Sequence, residues 1–156
     1  MWKTISILVA TLTAVVSQAQ EITSCRSPSG TSFYHFSGII DKSNAGWADD
    51  KISKGVFTLR KVAENAFDIL YIDTNNKPVS ATQDGAIVKV LRIGKTSITL
   101  LVHYPSITTE IYTFYKQNDG GFRFTLMQNK TGDEALLPKS TLMVGVCDSI
   151  QFNALR

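Results

Sequence analysis

The sequence predicts an all-β protein: a single antiparallel β-barrel of about eight strands, mostly a meander, with one short helical turn, and a β-sandwich as the alternative. Three observations carry this. β-Branched and aromatic runs recur at roughly 10–15-residue intervals, turn-forming residues separate them, and no stretch sustains the 3.6-residue apolar period of a helix. Such spacing with short sequential turns favours an up-and-down arrangement over a Greek key.

The first 19 residues stand apart. Met1-Trp2-Lys3 is a short basic start, residues 5–16 are apolar, and Ser17-Gln18-Ala19 puts small residues three and one before a cut. These are the parts of a secretory signal peptide, and the apolar run is too short to span a bilayer. Residues 1–19 are expected to leave, and residues 20–156 to form a single barrel domain with a real core and no transmembrane segment. A lipid-attachment box at Ile22-Thr23-Ser24-Cys25 is the lesser alternative, because Gln18, Gln20 and Glu21 interrupt its approach.

The charge balance is modest, 16 Lys and Arg against 13 Asp and Glu, and the basic residues are scattered singly along the chain. Nucleic-acid binding needs a clustered basic face, so no nucleic-acid partner is expected. The two cysteines, Cys25 and Cys147, stand near opposite ends. In an oxidising compartment an even pair is most simply a disulfide, which would bring the first and last segments side by side. Barrel closure would do the same.

Taken in order, residues 20–30 are polar and irregular, and 31–40 form the first strand by the alternation of Phe33 and His35 against Tyr34 and Phe36. Residues 41–54 lack a period; a helical turn near 48–52, capped by Ser43 or Asn44, fits there. Strands follow at 55–62 and 67–73, separated by a turn at Asn65, then a weak strand at 79–82 and another at 86–93. The densest signal is the meander of 97–104, 108–117 and 122–128. Pro105-Ser106 breaks it once, and Asn118-Asp119-Gly120-Gly121 makes its hairpin turn. Residues 140–147 are the last long strand. The Asp-Gly turn makes Tyr115 and Phe124 expected cross-strand neighbours, with Tyr112 and Phe114 together on the opposite face.

Little of this carries catalytic spacing. HExxH, GxSxG and phosphate-loop patterns are absent, as are metal-ligand spacings. His103 and Glu110 lie on neighbouring strands and could pair to polarise water, but no nucleophile accompanies them. A histidine hydrogen-bonded at a strand end is the preferred account. Trp47 reads as a plug closing one end of the barrel, or alternatively as an exposed aromatic anchor. Asp49-Asp50 beside it reads as a solvated loop. The aromatic excess on both faces of the meander suggests a binding face, so the candidate ligand-binding residues are His103, Tyr104, Glu110, Tyr112, Phe114 and Trp47. No catalytic residue, metal or cofactor is expected. Asn129-Lys130-Thr131 matches the N-glycosylation pattern, which matters only in a eukaryotic secretory pathway.

VHYPSITTEIYTFYKQNDGGFRF at 102–124, QNK at 128–130 and ALLPKSTLMVGVC at 135–147 resemble a family of small exported bacterial β proteins of uncharacterised function. The likeness runs from the Gly46-Trp47 loop to Cys147 and rests on a YP turn, an E-x-Y-T-F strand and a P-K-S…C strand. It implies a periplasmic or secreted location, and it carries no known activity or catalytic residues to transfer. A looser likeness to lipocalin-type barrels rests on strand count; their Gly-x-Trp is absent, since Gly46 and Trp47 are adjacent.

The expected function is therefore a non-enzymatic binding module for a small apolar or amphipathic ligand held in or at the mouth of the barrel. The alternative is an envelope or secreted protein-interaction or inhibitor module.

Overall fold

A computed structural model describes residues 19–37, 39–72 and 76–156. The expected leader lies outside these apart from Ala19. The described residues form ten strands: β1 (Gln20–Tyr34), β2 (Gly46–Lys51), β3 (Val56–Ala63), β4 (Ala66–Ile72), β5 (Pro78–Ser80), β6 (Ile87–Ile93), β7 (Ser97–Tyr104), β8 (Thr108–Lys116), β9 (Phe122–Lys130) and β10 (Lys139–Cys147). A 3-10 turn at Phe152–Leu155 follows.

All the strands belong to one antiparallel sheet in the order β5-β4-β3-β1-β10-β9-β8-β7-β6, with β2 also paired to β1. The sheet curls into a half-barrel and does not close. The first and last strands do pair, as expected, but in the middle of the sheet. Its two ends are β5 and β6, which are consecutive in the chain, so the opening falls at mid-sequence. Local chemistry explains why β5 stops short. Pro78 offers no N–H to a ladder. After Ser80 the chain folds back on itself, through Asp84 N–H to the Ser80 carbonyl (2.9 Å) and Ala86 N–H to the Ala81 carbonyl (2.9 Å).

Two expectations in the first third are corrected. Residues 20–30 are strand, because Ile22, Thr23 and Cys25 are buried and their backbone is laddered to β3 and β10. A bulge between Arg26 and Ser29, with Ser27 at a φ of 52°, then redirects β1. Beyond it β1 exchanges β3 for β2 as neighbour. The helical turn expected near 48–52 is β2 instead; pairing to β1 overrides a weak local preference.

The interior is a series of side-chain tiers, each running across the sheet along directly opposed residues. One tier contains Phe124 and Phe114, stacked at 5.7 Å between ring centroids, with Ile98 beside them. The expected Tyr115–Phe124 pairing is therefore one residue out. Tyr115 faces Arg123, and Phe114 faces Phe124. Since side chains alternate, the slip exchanges faces. The turn sets it: Gln117 N–H bonds to the Gly121 carbonyl (2.7 Å), and Gly120 takes a φ of 89°. Cys25 and Cys147 form the expected disulfide.

Candidate site at the polar mouth of the half-barrel

Along the inner face the composition changes from one tier to the next. Met143, Leu126, Tyr112 and Leu100 face one another in an almost wholly apolar tier. Two residues further toward one end lies a polar tier of Ser32, Thr141, Gln128 and Glu110, each opposite the next. Ser32, Thr141 and Glu110 are buried. Buried polar groups are costly unless bonded, and these are bonded. Ser32 donates to Asp50 (2.6 Å) and shares a hydrogen bond with Thr141 (2.7 Å). Lys139 donates to the same Asp50 oxygen at 2.6 Å. Glu110 accepts from the Tyr112 hydroxyl on Oε2 (2.6 Å) and from the Gln128 amide on Oε1 (2.7 Å).

Glu110 faces a pocket of about 340 Å³. Phe57, Tyr71, Tyr104 and Tyr112 supply aromatic wall, Leu126 and Ile107 aliphatic wall, and Asp84, Gln128 and Lys130 polar groups. Distant strands converge here because the sheet curls. Tyr71 is on β4 and Tyr104 on β7, across the open seam, yet their hydroxyls are hydrogen-bond neighbours. Asp68 holds the loop that brings Asp84 in. Buried on β4, it accepts from Ser80 Oγ (2.6 Å), Thr82 Oγ1 (2.9 Å) and Thr82 N–H (3.1 Å). Asp84 in turn accepts from the Tyr71 hydroxyl at 2.6 Å.

Electrostatics follow from burial. Desolvation raises the Glu110 carboxyl above its ordinary value, against the two hydrogen bonds and the nearby Lys130 charge. Desolvation also pushes the Tyr104 phenol up to about 12. Tyr71 rises through burial and its bond to Asp84, and Tyr112 rises through burial and the adjacent Glu110. Near neutral pH the pocket therefore presents neutral phenols beside a carboxyl that holds its proton more tightly than an exposed one would. Asp50 behaves oppositely: burial disfavours its charge, but Lys139, Ser32 and the Lys51 N–H outweigh that and lower it.

Of the six candidate ligand-binding residues, Tyr104, Glu110 and Tyr112 meet in this pocket. Phe114 is fully buried one tier further in, with Phe124 and Ile98. His103 lies on the outer face. It stands opposite Thr109, to which its Nδ1 bonds at 3.0 Å, whereas Glu110 stands opposite core residue Val102. The two are thus on opposite sides of the sheet and form no pair. Trp47 does not plug the barrel. It is 73% exposed on β2, edge-on to Phe33 at 5.5 Å. Sequence reasoning missed Tyr71, Asp84, Gln128 and Lys130. Gln128 was within reach, being opposite Glu110 once the hairpin register is right; the others depend on the curl.

Among the described residues no group of three or more His, Cys, Asp and Glu could hold a metal ion. No described helix is long and apolar enough to cross a membrane. No protein-family model, curated protein or solved structure gives a significant match to the chain.

Proposed function

We propose that this protein is a binding module that takes a small apolar or amphipathic molecule into the mouth pocket and performs no chemistry on it. One observation carries the reading: a buried carboxyl, Glu110, stands at an aromatic-walled pocket of about 340 Å³. That volume lies at the small end of ligand sites, and apolar walls with a few convergent polar groups are their usual composition. The lining residues include no cysteine, histidine or serine to serve as nucleophile or base. The protein works outside the cytoplasm in this reading. The disulfide, the leader-like first 19 residues and the resemblance to small exported bacterial proteins support that.

Native mass spectrometry of the protein purified from its own host tests the reading. A small-molecule adduct is expected, and filling the mouth with Ile107→Trp should remove it. A protein without adduct, whose melting temperature no small amphiphile raises, would refute it.

A second reading, a protein-interaction module of the envelope or secreted fluid, draws on the outer face. Leu101, Ile111, Met127 and Leu142 form one register row there, with Val144 and Val146 alongside. Photo-crosslinking from position 127 in intact cells tests it. One discrete partner, lost in Leu142→Glu, would favour this reading over the pocket.

A further inference from the structure

The pocket's walls narrow the class of its ligand. Four aromatic rings line it, from Phe57, Tyr71, Tyr104 and Tyr112. Its ionisable lining besides the phenols is two carboxyls, Glu110 and Asp84, against one amine, Lys130. Asp68, on β4 behind the loop, adds negative potential that reaches Tyr104. Aromatic faces attract cations through the ring quadrupole, most strongly where water is excluded. From the geometry we infer that the mouth pocket binds a small organic cation, an ammonium group carrying apolar substituents, with its charge toward Glu110 and its carbon skirt against the rings. This rests on the pocket being a ligand site at all, and deepens that reading.

The alternatives fit less well. An anionic amphiphile would have Lys130 alone as counter-charge and would face the Glu110 and Asp84 carboxyls, with Asp68 behind the loop. A neutral apolar ligand would leave the buried carboxyl without a partner beyond Tyr112 and Gln128, and so would gain nothing from it. A cation supplies what burial has taken from Glu110, a compensating charge in place of water. Binding should then favour the ionised carboxylate and lower the Glu110 pKa. The groups facing that carboxyl are Tyr112 on its own strand, Gln128 and Lys130 on β9, Tyr104 on β7, Tyr71 on β4 and Asp84 on the β5–β6 loop. Raised phenols stay protonated through neutral pH, so they do not exchange protons on binding, and Glu110 is the lining carboxyl whose raised pKa a bound cation would bring down.

Titration calorimetry of the oxidised protein with three probes of nearly one shape tests this. They are choline, its neutral isostere 3,3-dimethylbutan-1-ol, and the anion 3,3-dimethylbutanoate. Choline should bind at least about tenfold more tightly than the alcohol, and the anion more weakly still. Over the pH range in which Glu110 titrates, its apparent enthalpy should vary with buffer ionisation enthalpy, reporting proton release. Glu110→Gln should abolish that release and bring choline's affinity down to the alcohol's. Equal or tighter binding of the alcohol or the anion would overturn the cation assignment while leaving the pocket a ligand site. Failure of all three to bind would overturn the cation assignment as well, and native mass spectrometry then decides the pocket separately.

Discussion

Cys25 and Cys147 stand directly opposite each other in the β1–β10 ladder, 122 residues apart in sequence and 4.0 Å apart at Cα. The bond therefore joins neighbours already paired within the sheet's interior and does not staple its open edge. The edge that stays open, between β5 and β6, belongs to a short connection at mid-chain. Residues of the mouth pocket come from both sides of that seam, which is why a cross-link far from the seam can still matter to it. It fixes the central ladder from which both halves curl.

Reducing the bond should be costly because the loop it closes is long. Chain-entropy reasoning puts the loss for the double variant Cys25→Ser, Cys147→Ser at about 5 kcal/mol. Denaturant unfolding of variant and oxidised protein measures it. Two free thiols in the denatured, unreduced wild type would contradict the bond itself.

Gly145 should tolerate no side chain. A Cβ there would lie 2.2 Å from the Phe124 ring and 2.9 Å from the Arg26 carbonyl, so the β1–β10 ladder and the stacked rings would both have to move. Gly145→Ala is expected to cost about 1–3 kcal/mol, the range for overpacked cores. Trimming the ring with Phe124→Leu should recover part of that cost, a coupling that a double-mutant cycle measures.

Strand positions were legible in the sequence wherever alternation and turn chemistry agreed. β7 to β10 fall within about two residues of their expected bounds because Pro105, Gly120 and Pro138 punctuate them. Register was less legible. Counting from the Asp-Gly turn put Tyr115, not Phe114, against Phe124, since the Gln117–Gly121 bond adds a residue that the dipeptide pattern does not reveal. His103 and Glu110 failed as a pair for the same kind of reason: the β7–β8 register decides their faces, and proximity in sequence does not. Half the pocket was illegible altogether. Tyr71 and Asp84 reach Tyr104 only because the sheet curls through β1 and β10, a long-range geometry that no local window encodes.

Trp47 gives a simple optical check on the outer face. It is the only tryptophan besides Trp2, which belongs to the expected leader. Standing in water, it should emit in the folded mature protein nearly as it does after unfolding, and acrylamide should quench it in both states. Trp47→Ala should change stability by no more than about 1 kcal/mol, the worth of its edge contact with Phe33. A blue-shifted, protected emission would show that something covers β2.

Glu110 should leave a signature in the pH dependence of stability. Its folded-state carboxyl is raised from an ordinary 4.5, so the folded protein holds the proton more tightly than the unfolded chain. The stability this contributes is complete below that value and is lost as pH rises through the folded pKa, leaving an ionised buried carboxylate at higher pH. Asp50 works in the opposite sense and in a separate window. Lowered from 3.8, it contributes above that value and loses its contribution as pH falls through the folded pKa. Glu110→Gln removes the first effect while keeping a hydrogen-bonding group: its carbonyl can accept from Tyr112, and its amide can donate to a Gln128 carbonyl after that side chain flips. The variant should therefore gain on the wild type as pH rises from about 4.5 to the folded pKa, keep that gain above it, and match the wild type most closely at the acid end of the range. Melting temperature followed from pH 4 to pH 8 measures this. Parallel curves for variant and wild type would mean that Glu110 titrates alike in the folded and unfolded chain, and that the mouth of the half-barrel is wetter than its geometry implies.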